Sequence, residues 1–199
     1  MPYNPQIHHR RSIRLKGYDY TQSGAYFITL VTQGRARLFG EIVDNAMRLN
    51  RAGRIVEQEW RRLAMRFPNL RLDAFVIMPN HVHGIIVIVD PTGATRCAPA
   101  GIVDGGDSAP DGGMIDQGGS PLRADDGGDW LRPHGPPPGS VGAYVGQFKS
   151  RVTKRLRLAF PIWQRDYYEH IIRDQDEWDR IRQYIHDNPR HWQEDSEYA

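Results

Sequence analysis

Apolar positions along the chain change their period several times, and each change marks an element. The stretch "AYFITLVT" (residues 25–32) is dense in aromatic and β-branched residues and predicts a strand. Residues 38–49, "LFGEIVDNAMRL", read as a short hairpin that turns at "VDNA". From Asn50 the spacing lengthens. Ala52, Ile55, Val56, Trp60, Leu63, Ala64 and Phe67 recur at three- and four-residue steps, one face of a helix that Pro68 and Asn69 close. "LRLDAFVIM" (70–78) returns to strand, "PN" turns the chain, and "HVHGIIVIV" (81–89) is a second strand, apolar on both faces beyond its histidines. A strand covered on both sides is expected in the middle of a sheet with helices packed on it.

The second half repeats the alternation. Ser140 is placed to cap a helix whose apolar stripe is Val141, Tyr144, Val145, Phe148, Val152 and Leu156, with Lys149, Arg151, Lys154, Arg155 and Arg157 on its exposed side. "IWQRDYYEHIIR" (162–173) predicts another strand. Asp174 with Glu177 three residues on resembles a capping box and opens a last helix, which Asn188 and Pro189 end. The order strand, hairpin, helix, strand, strand, helix, strand, helix predicts an α+β fold: a ferredoxin-like antiparallel sheet with helices on one face.

Composition changes that picture in one place. Residues 91–140 hold 12 of the 20 glycines and 8 of the 14 prolines and contain no run able to bury a face, so they are expected to form a long disordered insertion within one domain spanning 1–199. They also carry seven Asp against Arg96, Arg123 and Arg132, a net −4, so a chain of net charge +2 leaves +6 on the remainder. That charge collects in "HHRRSIRLK" and "KSRVTKRLR". Either cluster alone is ordinary solvated surface; two on one small core point to a polyanion partner. The 199 residues suit one domain with an insertion. A lone cysteine, Cys97, rules out a disulfide framework or a thiolate metal cluster, and the longest apolar run, "GIIVIV", is too short to cross a bilayer. With no apolar signal-peptide core near Met1, the expectation is a soluble cytoplasmic protein without membrane contact.

The candidate chemistry starts at His81 and His83. Two apart on a strand, they share a face and form a bidentate pair for a divalent cation. Paired histidines that merely hydrogen-bond at a sheet edge are the competing reading. Polar groups entering an apolar run are costly without partners, and Gly84 leaves room for a ligand or another backbone, both of which favour the cation. Two histidines alone make a weak site, so a third oxygen or nitrogen donor is needed from elsewhere. In the last helix, Tyr184 and Asn188 are four apart and share a face beside the stripe Trp178, Ile181, Ile185. Tyr184 as an amphipathic boundary residue with its hydroxyl in water is the alternative there. Tyr167 and Tyr168 are adjacent in a strand, so at most one faces the histidines, and Tyr144 belongs to a core stripe. Glu169 and His170 either steady the ligands or pair with surface arginines.

"MPNHVHGIIVI", "GQFKSRVTKRL", "WQRDYYEHIIRD" and "YIHDNP", in that order, resemble the single-tyrosine transposases of the histidine-hydrophobic-histidine (HUH) nuclease superfamily, in particular the REP-associated tyrosine transposases. The resemblance runs from "GAYFITLVT" to "YIHDNPRHW". It implies a ferredoxin-like, metal-dependent single-strand DNA endonuclease and strand transferase, with His81 and His83 as the metal-binding pair, Tyr184 as nucleophile and Asn188 completing the shell around Mg²⁺ or Mn²⁺. The implied partner is single-stranded or hairpin DNA of REP-like palindromes, contacted at phosphates by Arg10, Arg11, Arg14 and Lys16 and by Lys149, Arg151, Lys154 and Arg155. Relatives act as dimers or monomers, and both stay open here. The insertion departs from the family pattern, which has a much shorter link between the histidine strand and the next helix.

The expected reaction follows from elementary chemistry. A phenol with a pKa of ~10 is a poor nucleophile at neutral pH until a cation or base favours its phenolate. Attack on a phosphate polarised by the metal displaces the 3′ oxygen and leaves a 5′-phosphotyrosine, which another 3′-hydroxyl can reverse. Two other classes remain: a non-catalytic module binding single-stranded nucleic acid, in which Tyr184→Phe is silent, and a metal-dependent hydrolase that uses water and forms no protein–DNA adduct.

Overall fold

The first apolar run forms β1 (Gly24–Val31), buried along its whole length. The structure, a computed structural model, describes residues 18–90, 136–195 and 197. Arg10, Arg11, Arg14 and Lys16 lie outside the described residues, as does 91–135 of the expected insertion. The hairpin pairs β2 (Gly40–Val43) with β3 (Ala46–Leu49), and Asp44 and Asn45 both adopt positive φ (52° and 59°), the twist a two-residue turn needs. Helix α1 (Arg51–Arg66) starts where Asn50 accepts from the Gly53 N–H at 3.0 Å. After it come β4 (Leu70–Ile77) and β5 (His81–Ile88). Helix α2 (Val141–Leu156) is capped by Ser140, whose hydroxyl also donates to the Pro137 carbonyl at 2.6 Å, so residues 137–140 of the expected insertion form the turn that leads into the helix. The capping box forms at α3 (Gln175–Asp187): Asp174 accepts from Glu177 N–H at 2.8 Å.

The main sheet runs β4–β5–β1–β6, with β6 at Tyr168–Ile172 and every pairing antiparallel. That order is the ferredoxin-like arrangement the pattern predicts. Two details differ from expectation. Helices cover both faces: α1 and α2 pack on Tyr26, Ile28, Leu30, Val82 and Ile86, whereas α3 sets Trp178, Ile181 and Ile185 on Phe27, Ile85 and Val87. An isolated amphipathic pattern fixes which side of a helix is apolar but not which face of the sheet receives it. The strand expected over 162–173 is also shorter. Trp163 makes a single bridge to Thr32, and the carbonyls of Gln164, Arg165 and Asp166 turn instead to Lys149 Nζ, at 2.8, 3.5 and 3.2 Å.

Polar anchors lock the layers. Buried Glu59 of α1 meets Arg62, Arg66 and, across the helix pair, Arg155 of α2, at 2.8, 3.4 and 2.9 Å. Burial alone would raise the Glu59 carboxyl, but the hydrogen bonds from Arg62 and Arg155 outweigh it and hold the group below its ordinary range. On the other face, Asp73, in the irregular stretch between Leu72 and Phe75, accepts from Trp178 Nε1 and from Arg182 Nε at 2.8 Å. His170 of β6 meets Glu177 at 2.7 Å.

Gly84 does not make room for a ligand or backbone. The space above it belongs to the Trp60 indole: a Cβ there would lie 2.4 Å from Cζ2 and 2.7 Å from Cη2. Gly84→Ala therefore overpacks a core with no flexible neighbour to yield, and should destabilise the protein by about 1–3 kcal/mol. Gly146→Ala, in α2 with open space around it, should be neutral or stabilise. Denaturant midpoints of the two variants check this; equal midpoints would contradict it.

Candidate functional site

β5 enters the sheet at its histidines, and the register sets His81 opposite Val31 and His83 opposite Thr29 of β1. Strand alternation sends both imidazoles to the α3 face, with ring centroids 4.4 Å apart. His81 is fully buried. Its Nδ1 lies 2.8 Å from Asn80 Oδ1, while the Asn80 amide nitrogen donates to the Arg35 and Glu197 carbonyls at 3.3 and 2.6 Å. The two carbonyls orient the amide, so Oδ1 is the acceptor and His81 carries its proton on Nδ1. Burial, reinforced by the neighbouring His83, pushes the His81 imidazole down to about 3. It is neutral near pH 7, with a bare Nε2 lone pair turned into the site.

His83 is held from two sides. Its Nδ1 is 2.8 Å from Thr29 Oγ1 and its Nε2 is 3.2 Å from the Tyr184 hydroxyl, while Phe27 stacks on the ring at 5.4 Å. Tyr184 stands in the last full turn of α3 and is half-exposed. Burial of its hydroxyl end, with the negative charge of Asp195, pushes the phenol up to about 12. One turn on, Asn188 is buried and close enough to His81 and Tyr184 to act on the ionisation of both.

Asp195 is a site residue that the sequence pattern does not single out. Beyond α3 the chain runs through the short 3-10 turn Trp192–Glu194 and brings the Asp195 carboxylate back under the histidines, with Oδ2 3.8 Å from both Nε2 atoms. It accepts from Asn188 Nδ2 at 2.8 Å and from the Glu197 N–H at 2.7 Å. Burial favours its neutral form, but His83, the Glu197 N–H and the Asn188 amide prevail and hold the carboxyl well below the usual range. No periodicity extends past Pro189, so nothing in the spacing of residues marks it. His81, His83 and Asp195 present ligand atoms within 4.8 Å of one another. Two polar atoms at the same place, His81 Nε2 and Asn188 Oδ1, are buried with no hydrogen-bond partner among the described residues. Two imidazole nitrogens, a carboxylate oxygen and an amide oxygen form a donor set for a divalent cation, and the orphaned atoms are the ones such an ion would satisfy.

The fold thus brings His81, His83, Tyr184 and Asn188 together. It does not bring the basic residues of α2 to them, because α2 covers the opposite face. Arg151 and Lys154 are exposed there. Lys149 is engaged by three carbonyls, and Arg155 by Glu59 and by Gln58 at 2.9 Å. Of the other tyrosines, Tyr144 donates to Asn69 at 3.1 Å and Tyr167 to Glu169 at 2.6 Å within the α1–α2 side, while Tyr168 faces the His83 side.

No family model matches the chain. A Haemophilus influenzae protein described only as uncharacterized is 41% identical over 200 residues, covering 99% of this chain and 97% of that protein. Among solved structures, a REP-associated tyrosine transposase bound to a REP hairpin superposes with a TM-score of 0.52 at 16% identity, covering 89% of this chain and 73% of the other. The chain belongs to one family with the Haemophilus influenzae protein, and its fold is that of a REP-associated tyrosine transposase.

Proposed function

We propose that the protein is a transposase-type enzyme: a metal-dependent single-strand DNA endonuclease and strand transferase, one catalytic domain in which Tyr184 is the nucleophile. The observation that carries this reading is half-exposed Tyr184, whose hydroxyl lies 3.2 Å from His83 Nε2 at the rim of a buried cluster that ends in donor atoms without hydrogen-bond partners among the described residues. A hydrolase activating water has no need of a phenol at that point. The fold shared with a hairpin-bound transposase supports DNA as substrate.

His81, His83, Asn188 and Asp195 would hold the cation. When bound, Mg²⁺ or Mn²⁺ supplies the positive charge that polarises the scissile phosphate and offsets the carboxylate that otherwise disfavours the Tyr184 phenolate. The protein's own groups do the rest. Asn80 and Thr29 hold the imidazoles in orientation through their Nδ1 atoms. Asp73 and Glu177 fix α3 on the sheet, which sets the reach of the phenol. In the reaction the phenolic oxygen bonds to phosphorus and the bond from phosphorus to the 3′ oxygen breaks. The net proton balance moves the phenol's hydrogen to the departing 3′-hydroxyl. The 5′-phosphotyrosine keeps the bond energy, and attack by another 3′-hydroxyl rejoins DNA and restores the phenol.

Two outcomes are expected. Incubation with end-labelled hairpin oligonucleotides bearing single-stranded flanks and Mn²⁺ should give a covalent adduct on a denaturing gel, absent with chelator and in Tyr184→Phe, which should still bind the oligonucleotide. Cleavage that persists in Tyr184→Phe without an adduct would identify water as the nucleophile and end this reading. Separately, Mn²⁺ should raise the melting temperature of the DNA-free protein. His81→Ala should abolish the shift, and Asn80→Ala or Asp195→Asn should weaken apparent affinity by about 10–100-fold. An unchanged response in His81→Ala would remove the cation from the site.

A further inference from the structure

The reaction uses one exposed tyrosine of the α3 face, and a second stands beside it. Tyr168, at the start of edge strand β6, is 45% exposed, as is Tyr184. The register sets Thr29 opposite both His83 and Tyr168, so His83, Thr29 and Tyr168 form one cross-strand row on one face. Phe27 joins the row to the nucleophile: its ring is stacked on His83 and meets Tyr168 and Tyr184 edge-on, each at 6.1 Å. Two half-exposed phenols therefore flank the imidazole on a shared aromatic base. Two strand spacings, about 10 Å, separate the His83 and Tyr168 positions. α3 covers Phe27 and Ile85 but leaves the Tyr168 ring open to solvent.

We propose that Tyr168 is a stacking platform for the unpaired nucleobase adjoining the phosphate presented to His83 and Tyr184. The inference rests on the single-strand reading of the site and adds the residue that seats the strand there. A base at that position presents a π-face whatever its identity, so the contact contributes affinity and alignment without fixing sequence. Continuity with the site is what favours a base over a second protein copy: the ring shares its supporting phenylalanine with the imidazole and the nucleophile.

The test uses the full chain and hairpin oligonucleotides whose single-stranded flank carries 2-aminopurine at one successive position at a time. In a Tyr184→Phe background, which blocks cleavage, one flank position should show fluorescence quenching on binding. Tyr168→Ala should abolish that quenching and weaken binding about 5- to 150-fold, while Tyr168→Trp keeps both. Tyr168→Leu, which retains packing on Phe27 but has no π-system, should behave as the alanine variant. Replacing the base at that position with an abasic nucleotide should erase the difference between Tyr168 and its alanine variant, a coupling that a purely structural role would not produce. Equal losses with base and abasic oligonucleotides would overturn the platform. So would a dimer that Tyr168→Ala dissociates without base-dependent coupling. If Tyr168 of the otherwise native protein shows the coupling but no Tyr184 adduct ever forms, the platform stands and the endonuclease reading falls. An adduct without coupling overturns the platform and leaves the endonuclease standing, and absence of both ends both.

Discussion

The register of β1 against β5 is the constraint from which the site follows. With Val31 opposite His81 and Thr29 opposite His83, alternate β5 residues Val82, Ile86 and Ile88 enter the α1–α2 core while the histidines face α3. A slip of one residue would exchange the faces, setting the imidazoles under Trp60 and turning Val82, Ile86 and Ile88 toward α3. Gly84 helps forbid that slip. Its missing side chain is the space filled by Trp60, so no other β5 residue can occupy that position without a clash. The steric fit of one indole on one face thereby aims two ligands on the other.

The rest of the site is assembled from distant segments by α3. Asp73 of β4 and His170 of β6 grip the helix at Trp178, Arg182 and Glu177, on both margins of the sheet. A rigid helix held near its start and middle projects its last turn over β5, where Tyr184 meets His83 and Asn188 meets the returning Asp195. The geometry of the site is thus a consequence of layer packing rather than of any local motif.

What is legible in the sequence follows the same division. β1, β4, β5 and α1, the caps at Ser140 and Asp174, and the pairing of Tyr184 with Asn188 are set by local pattern, and periodicity is a local property. The sheet face taken by α3, the indole over Gly84, and Asp195 all depend on tertiary encounters. Asp195 approaches only because the chain turns back through Trp192, whose ring sits 5.8 Å from His81. Lys149 and Arg155 show the limit from the other side. A helical wheel puts both on a solvent face, yet the backbone of residues 164–166 and the carboxylate of Glu59 claim them. Both are thus tied to groups of the fold, Lys149 from a half-buried position and Arg155 from an exposed one, while Arg151 and Lys154 are exposed.

Electrostatics around the cluster argues for its occupant. Asp195 is held ionised while burial keeps His81 neutral, so that imidazole offers the carboxylate no counter-charge. The same carboxylate raises the phenol it would serve beside. Two buried polar atoms, His81 Nε2 and Asn188 Oδ1, converge there without partners among the described residues, each at the cost of desolvation without return. Protonating His81 would relieve the charge but would require Nε2 to carry a proton in a fully buried place. A divalent cation relieves all of these at once: it satisfies both lone pairs, balances the carboxylate and lowers the penalty on the Tyr184 phenolate. The arrangement is unfavourable as a hydrogen-bonded cluster and coherent as a ligand set, and that asymmetry is the physical support for the proposed metal-assisted chemistry at Tyr184.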